Sequence, residues 1–174
     1  MTQGRFHAFD LSLAGARHRG AATLAALALC LPLAAAACGG GGGTQLSKTQ
    51  YESQIQREGE KIRNAFAPLS KPPKSLAALA SSIEAGQNKL REVADDLDRT
   101  KPPDDVAKDN AALVASLRKL ADQLDPLRQG AAKGDVALVQ KAVNTLRSSK
   151  SLKDAQKATA DMRDKGYDVG PLGQ

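Results

Sequence analysis

The sequence predicts an all-α protein, an up-and-down bundle of four to five helices carried behind an export signal and a glycine tether. Three observations lead there. Apolar residues recur at helical spacing from Tyr51 to Met162; proline pairs and the Gly134-Asp135 boundary punctuate that pattern; and no stretch of any length shows strand-like alternation. The chain has 174 residues, a length that allows one domain.

The first 37 residues read differently from the rest. Arg5, Arg17, His18 and Arg19 precede an uncharged run from Ala21 to Ala37, the basic, apolar, small-residue order of an export signal. A membrane span usually needs about 20 apolar residues. This run contains Pro32 and leads into Gly39 to Gly43, so it makes a poor permanent anchor.

Ala35-Ala36-Ala37-Cys38 resembles the lipobox of bacterial lipoprotein signal peptides, with small residues at the two positions before the cysteine. Ala35 replaces the commoner leucine, and Leu33 lies close by. The resemblance implies that the Cys38 sulfur is alkylated by a diacylglyceryl group and that the signal is cut between Ala37 and Cys38. Sulfur suits that step because its thiolate is a soft nucleophile. Two acyl chains hold a protein on a bilayer stably, whereas one gives marginal, reversible binding. Two other outcomes stay open on the residues alone. Ala35-Ala36-Ala37 also satisfies an A-x-A secretion site, which would leave Cys38 as a free thiol, and an uncleaved membrane helix is the third.

Processing after Ala37 removes Arg5, Arg17, Arg19 and Asp10. From 25 basic and 19 acidic side chains there remain 22 and 18, a net charge of +4. The charges are mixed along the chain, which argues against a nucleic-acid partner. Both histidines and Cys30 go with the signal, so an intrachain disulfide cannot form. Residues 38–45 form the lipidated cysteine and a flexible tether of about 15 Å.

The domain is expected over 46–166. Ser47 with Gln50 makes a capping box, and Leu46 with Tyr51 a hydrophobic staple. Ile55, Ile62, Phe66 and Leu69 extend the stripe, with Gly59 in the same seam, and Pro68 and Lys71-Pro72-Pro73 end the helix near Phe66. The second helix carries Leu76, Leu79, Ile83, Leu90, Val93 and Leu97, with Gly86 between Ile83 and Leu90, and stops at Thr100-Lys101-Pro102-Pro103. The third opens with Asp104 and Asp105 at its positive end. It carries Val106, Leu113, Leu117, Leu120, Leu124 and Leu127, with a kink or break expected at Pro126. Gly134-Asp135 is a stop followed by a cap, and Val136, Val139, Val143 and Leu146 form a fourth stripe. An interruption near Ser148 to Ser151 precedes a last helix with Leu152, Ala155, Thr159 and Met162 facing inward. Residues 167–174 read as a tail, pinned by Tyr167 and Val169.

The order of lipobox, glycine linker, capped Leu-Ser-Lys helix start, Pro-Pro-Asp helix opening and Gly-Asp cap is similar to uncharacterised helical lipoproteins of high-GC bacteria. That group often carries a cysteine late in the first helix and another near the terminal Gly-aromatic turn. Here Asn64 and Gly170 stand in those neighbourhoods. The resemblance implies a fold and a location on the outer face of the cell membrane, with no activity.

Chemistry has few carriers in residues 38–174. Without histidine, and with Cys38 blocked by lipid, the domain lacks the common base, metal ligand and reactive sulfur, so an enzyme is not expected. No cofactor is expected either, since a Leu/Ala core leaves little room for one. Asp95, Asp96, Asp98, Asp104 and Asp105 read as solvated helix ends, and Lys150, Lys153 and Lys157 as a basic ridge facing water. Gly59 and Gly86 sit at mid-helix positions where glycine costs about 1 kcal/mol against alanine. They either let helices approach closely or line a small apolar hollow. The expected function is therefore a non-enzymatic binding or interaction module of the cell envelope. It is held to the membrane through Cys38 and meets an envelope protein or a small apolar ligand. A structural spacer is the first alternative, and a carboxylate-dependent envelope hydrolase the second.

Overall fold

A computed structural model of the chain describes residues 44–173. The signal, the cleavage site at Ala37 and Cys38, and glycines 39–43 lie outside the described residues. Those described form six α-helices: α1 (Lys48–Phe66), α2 (Leu76–Arg99), α3 (Ala107–Gln123), α4 (Asp125–Lys133), α5 (Val136–Arg147) and α6 (Lys150–Asp164). Short 3-10 turns follow α1, precede α3 and close the chain at Gly170–Gly173. There is no strand among the described residues, and the fold is the all-α helix bundle that the sequence predicts.

Local chemistry sets most boundaries. The Gln50 backbone N–H donates to the Ser47 hydroxyl, and the Ser47 N–H donates back to the Gln50 side chain at 2.9 Å. Ser75, Asp135 and Ser149 cap α2, α5 and α6 with the single bond from the third helical N–H to their side chains, without the return bond. Gly134 ends α4 in the left-handed region at φ 72°. The third helix breaks where Pro126 removes a backbone donor. Leu124 turns its N–H back to Leu120 and Ala121, and α4 starts from Asp125 as a separate rod. Gln87 of α2 then donates at 2.9 Å to the Ala121 carbonyl, one of the acceptors at the end of α3.

Helices α1, α2, α3 and α6 surround one core, α4 packs on α2, and α5 packs on α4. Tyr51, Ile55, Ile83, Val93, Leu97, Val106 and Met162 are completely buried. Two expected inward residues are not inside. Val136 is 66 % exposed: Leu138 and Val139 of the same turn lie against Gly130 of α4, and Val136 is left outside that contact. Leu152 is 36 % exposed. The Ser149 cap fixes the start of α6 so that Ser151, Ala158, Thr159 and Met162 turn inward instead.

The C-terminal residues form part of the packed structure. Tyr167 and Val169 are buried, and Leu172 packs at the edge of the same core. The Asp168 N–H donates to Glu52, and Arg163 donates to the Gly173 carbonyl at 2.7 Å. Tyr167 meets Tyr51 edge to face, with ring centres 5.9 Å apart.

Candidate functional site

The α3–α6 seam opens outward as a trough of about 660 Å³. Helical spacing builds both walls. Lys108, Ala112, Ala115 and Lys119 follow one face of α3, and Asp154, Lys157, Ala158, Asp161 and Lys165 one face of α6. Alanines form the floor, so two backbones lie close enough to leave an apolar strip between charged rims. Four lysines and four aspartates line the trough, which is therefore electrically neutral as a whole.

Most of its acids are held by lysine. Lys165 donates at 2.6 Å both to Asp109, which is only 8 % exposed, and to the Asp105 carbonyl. Lys157 donates to Asp161 at 2.6 Å, and that carboxylate holds the ammonium above its usual pKa. Lys150 pairs with Asp154 at 2.7 Å. Two of the three ridge lysines thus belong to ion pairs, and Lys157 belongs to the trough. Asp164 reaches the rim and forms no salt bridge among the described residues.

The glycines of the sequence reading lie elsewhere. A Cβ on Gly86 would sit 2.7 Å from Cζ of Phe66, and one on Gly59 would sit 3.1 Å from Cγ of Leu172. The space beside Gly86 is filled by the last aromatic of α1, and that beside Gly59 by the C-terminal turn. Neither glycine lines the trough.

The acids expected at solvated helix ends instead cross-link helices. Arg118 of α3 reaches Asp95 and Asp98 of α2, each at 2.9 Å. Lys61 of α1 donates to Asp96 at 2.9 Å and to Glu58 at 3.0 Å. Glu58 is almost fully buried, and its second oxygen lies 3.0 Å from the same ammonium with no aligned donor of its own. The Lys61 hydrogen bond, then Arg99, holds the Asp96 carboxyl below its usual range. That stabilisation is present above pH about 4 and is lost as the pH falls through the lowered value.

Sequence reasoning missed the buried polar centre. Asn110 accepts from the Tyr51 hydroxyl at 3.0 Å and donates to the Leu97 carbonyl at 3.1 Å, joining α1, α2 and α3. A signal was there: Asn110 lies four residues after Val106 and three before Leu113, inside an apolar stripe. Gln87 occupies the same kind of position between Ile83 and Leu90.

Burial raises the Tyr51 phenol well above its usual pKa, with Asp109 adding to it. Burial, and then the Asp105 carboxylate that its hydroxyl donates to at 2.8 Å, pushes Tyr167 up to about 12. Both groups favour the folded state while neutral. Stability should therefore hold up to pH about 10 and fall as the pH rises through about 12. These are the only tyrosines and there is no tryptophan, so a tyrosinate absorbance titration reads both directly. The expected result is a late transition that coincides with loss of helical circular dichroism. Ionisation near pH 10 with the helices intact would contradict it.

Among the described residues no group of three or more His, Cys, Asp or Glu is placed to hold a metal ion, and no helix is long and apolar enough to cross a membrane. Comparison with protein-family profiles, with curated proteins and with solved structures finds no match to this chain.

Proposed function

We propose that this chain is a lipid-anchored protein of the extracytoplasmic membrane face. In this reading it is a non-enzymatic interaction module whose α3–α6 trough receives a segment of an envelope protein. The observation that carries the reading is the trough itself, with its apolar alanine floor between two charged rims of opposite bias. Small floor residues suit the close approach of a helix, and the rims suit a partner with charges of both signs at its edges. A small apolar ligand is less well served, because the trough is open along its length and the glycine-lined positions are filled by Phe66 and Leu172. A carboxylate-dependent hydrolase needs two facing acids with separated pKa values. Here Asp109, Asp154 and Asp161 are each committed to a lysine.

The anchored location draws support from the N-terminal end of the domain. Gln45 donates to Asp104 at 2.7 Å, the Leu46 N–H donates to the Lys101 carbonyl at 2.9 Å, and Ser47 caps α1. Gln45 and Leu46 thus fix the N-terminal end of the described domain to the α2–α3 loop seven residues after Cys38, a chain length that in this reading keeps that end close to the lipid headgroups.

A photo-crosslinking residue at Ala115, compared in living cells with one at the exposed Ala85 of α2, tests the binding face. The expected result is a discrete protein adduct from position 115 alone, abolished by Ala112→Arg. Equal adducts from both positions, or none from 115, would remove the trough from the account.

A further inference from the structure

The neutral trough has a polarity between its two walls. Helices α3 and α6 are antiparallel: Lys165, just past the end of α6, meets Asp109 at the start of α3, and Ser149 at the start of α6 meets Gln123 at the end of α3. By that register Asp164 stands level with Lys108, and Asp154 level with Lys119. Along α3 the stripe Lys108, Ala112, Ala115 and Lys119 keeps the spacing of one helix face, and all four residues are exposed. Two alanines thus lie open between two lysines, on a helix whose inner faces pack on α2 and α6.

Charge in the trough divides by helix. Asp109 and Lys165 close on each other across the seam, one of each sign. Of the other lining charges, α3 holds Lys108 and Lys119, a total of +2, and α6 holds Asp154, Asp161, Asp164 and Lys157, a total of −2. Lys150 reaches Asp154 from outside the trough, and with it counted α6 is still negative. Lys157 holds Asp161. Lys108, Lys119 and Asp164 form no salt bridge among the described residues. The lysines of one wall and the acid of the other are therefore free to meet charges from outside.

We propose that the trough is filled by a second copy of this chain, the two troughs face to face about a two-fold axis parallel to the helices, an occupant that rests on the trough being the binding face. A two-fold interface joins the same patch from both copies, so every contact occurs twice. With the axis along the helices, α3 of each copy lies against α6 of the other. Four rods then alternate up and down around Ala112 and Ala115, a four-helix bundle whose small core residues let the rods come close. Lys108 meets Asp164 of the other copy, and Lys119 meets Asp154, where Lys150 weakens the attraction. An axis across the helices would instead set α3 on α3, with Lys108 beside Lys119, a like-charge contact that costs binding energy. The chain ends favour the same choice. Gln45 and Leu46 are fixed to the loop that leads into α3, so the lengthwise axis keeps both N-terminal ends at one pole, as two anchors in one bilayer require. The crosswise axis sends them to opposite poles. The shared pole depends on the lipid anchor; the charge pairing does not.

The test co-expresses two copies of the full-length chain in one cell, each with its own epitope tag and both with a photo-crosslinking residue at Ala115. The expected result is a light-dependent adduct that carries both tags at the mass of two chains. Lys108→Glu in both copies, or Asp164→Lys in both, should weaken that adduct about fivefold or more, because each places like charges together twice. Lys108→Glu in one copy with Asp164→Lys in the other should restore it, since both contacts are then between opposite charges. The restored pair also shows that neither substitution unfolds its chain. Substitutions without effect, or a mixed pair as weak as the others, would overturn the arrangement. An adduct that carries one tag and a different protein would overturn the second copy while leaving the trough as the binding face. With no adduct at all, the trough and its occupant both fall.

Discussion

Ending the chain after Gly166 should destabilise the domain by about 3–6 kcal/mol, the summed worth of two buried side chains, with Leu172 and the edge contact to Tyr51 adding to it. Tyr167 and Val169 are almost completely buried, Leu172 covers Gly59, and Lys48 stacks on the Tyr167 ring at 4.9 Å. Removing them uncovers one side of Tyr51, which lies at the centre of the core. Urea unfolding followed by circular dichroism measures the loss. A truncated chain as stable as the intact one would show that the terminal segment merely rests on the surface. A milder version separates packing from chain length: Gly59→Leu places a branched side chain where Leu172 and Pro171 now sit, and should release the terminal turn while α1 stays helical.

Asn110→Leu should cost about 2–4 kcal/mol, more than its loss of two hydrogen bonds alone suggests. The Tyr51 hydroxyl would keep only the Met162 sulfur, at 3.7 Å, as a poor acceptor, while the Leu97 carbonyl would keep the Thr100 N–H at 3.2 Å and lose its second donor. Buried groups left without partners cost their full desolvation. Tyr51→Phe in the same background should recover part of the loss, because it removes the orphaned hydroxyl while keeping the ring against Tyr167. Additive losses in the double variant would contradict this coupling.

These two sites show where the sequence could be read and where it could not. Boundaries were legible because they are local: Ser47 with Gln50, Pro126, Gly134 with Asp135, and Ser149 each act on backbone groups within four residues. Faces were legible where an apolar stripe has a partner on its inner side, as for Val93 and Leu117, and less so at the edges. Val136 heads a stripe whose later members, Val139, Val143 and Leu146, pack against the core while it stays outside, and Leu152 lost its inward place to the register set by Ser149. The tail was harder, since three apolar residues among glycines carry no period, and only Tyr51 and Gly59, more than a hundred residues earlier, explain where they go. The trough could not be read from either helix alone. Ala112, Ala115 and Ala158 look like ordinary exposed or helix-forming alanines until α3 and α6 are placed side by side. Asp95, Asp96 and Asp98 looked like one acidic cluster because they are adjacent in sequence, but the helix turns Asp96 toward Lys61 and the other two toward Arg118.

The anchor is the part of the account on which location depends, and the intact mass of the protein extracted from membranes tests it most directly, beside a Cys38→Ala variant. The account predicts a chain that begins at Cys38 and is heavier than its sequence by a diacylglyceryl group, with the variant left uncleaved or released. An unmodified chain in the medium, identical in behaviour to the variant, would contradict it.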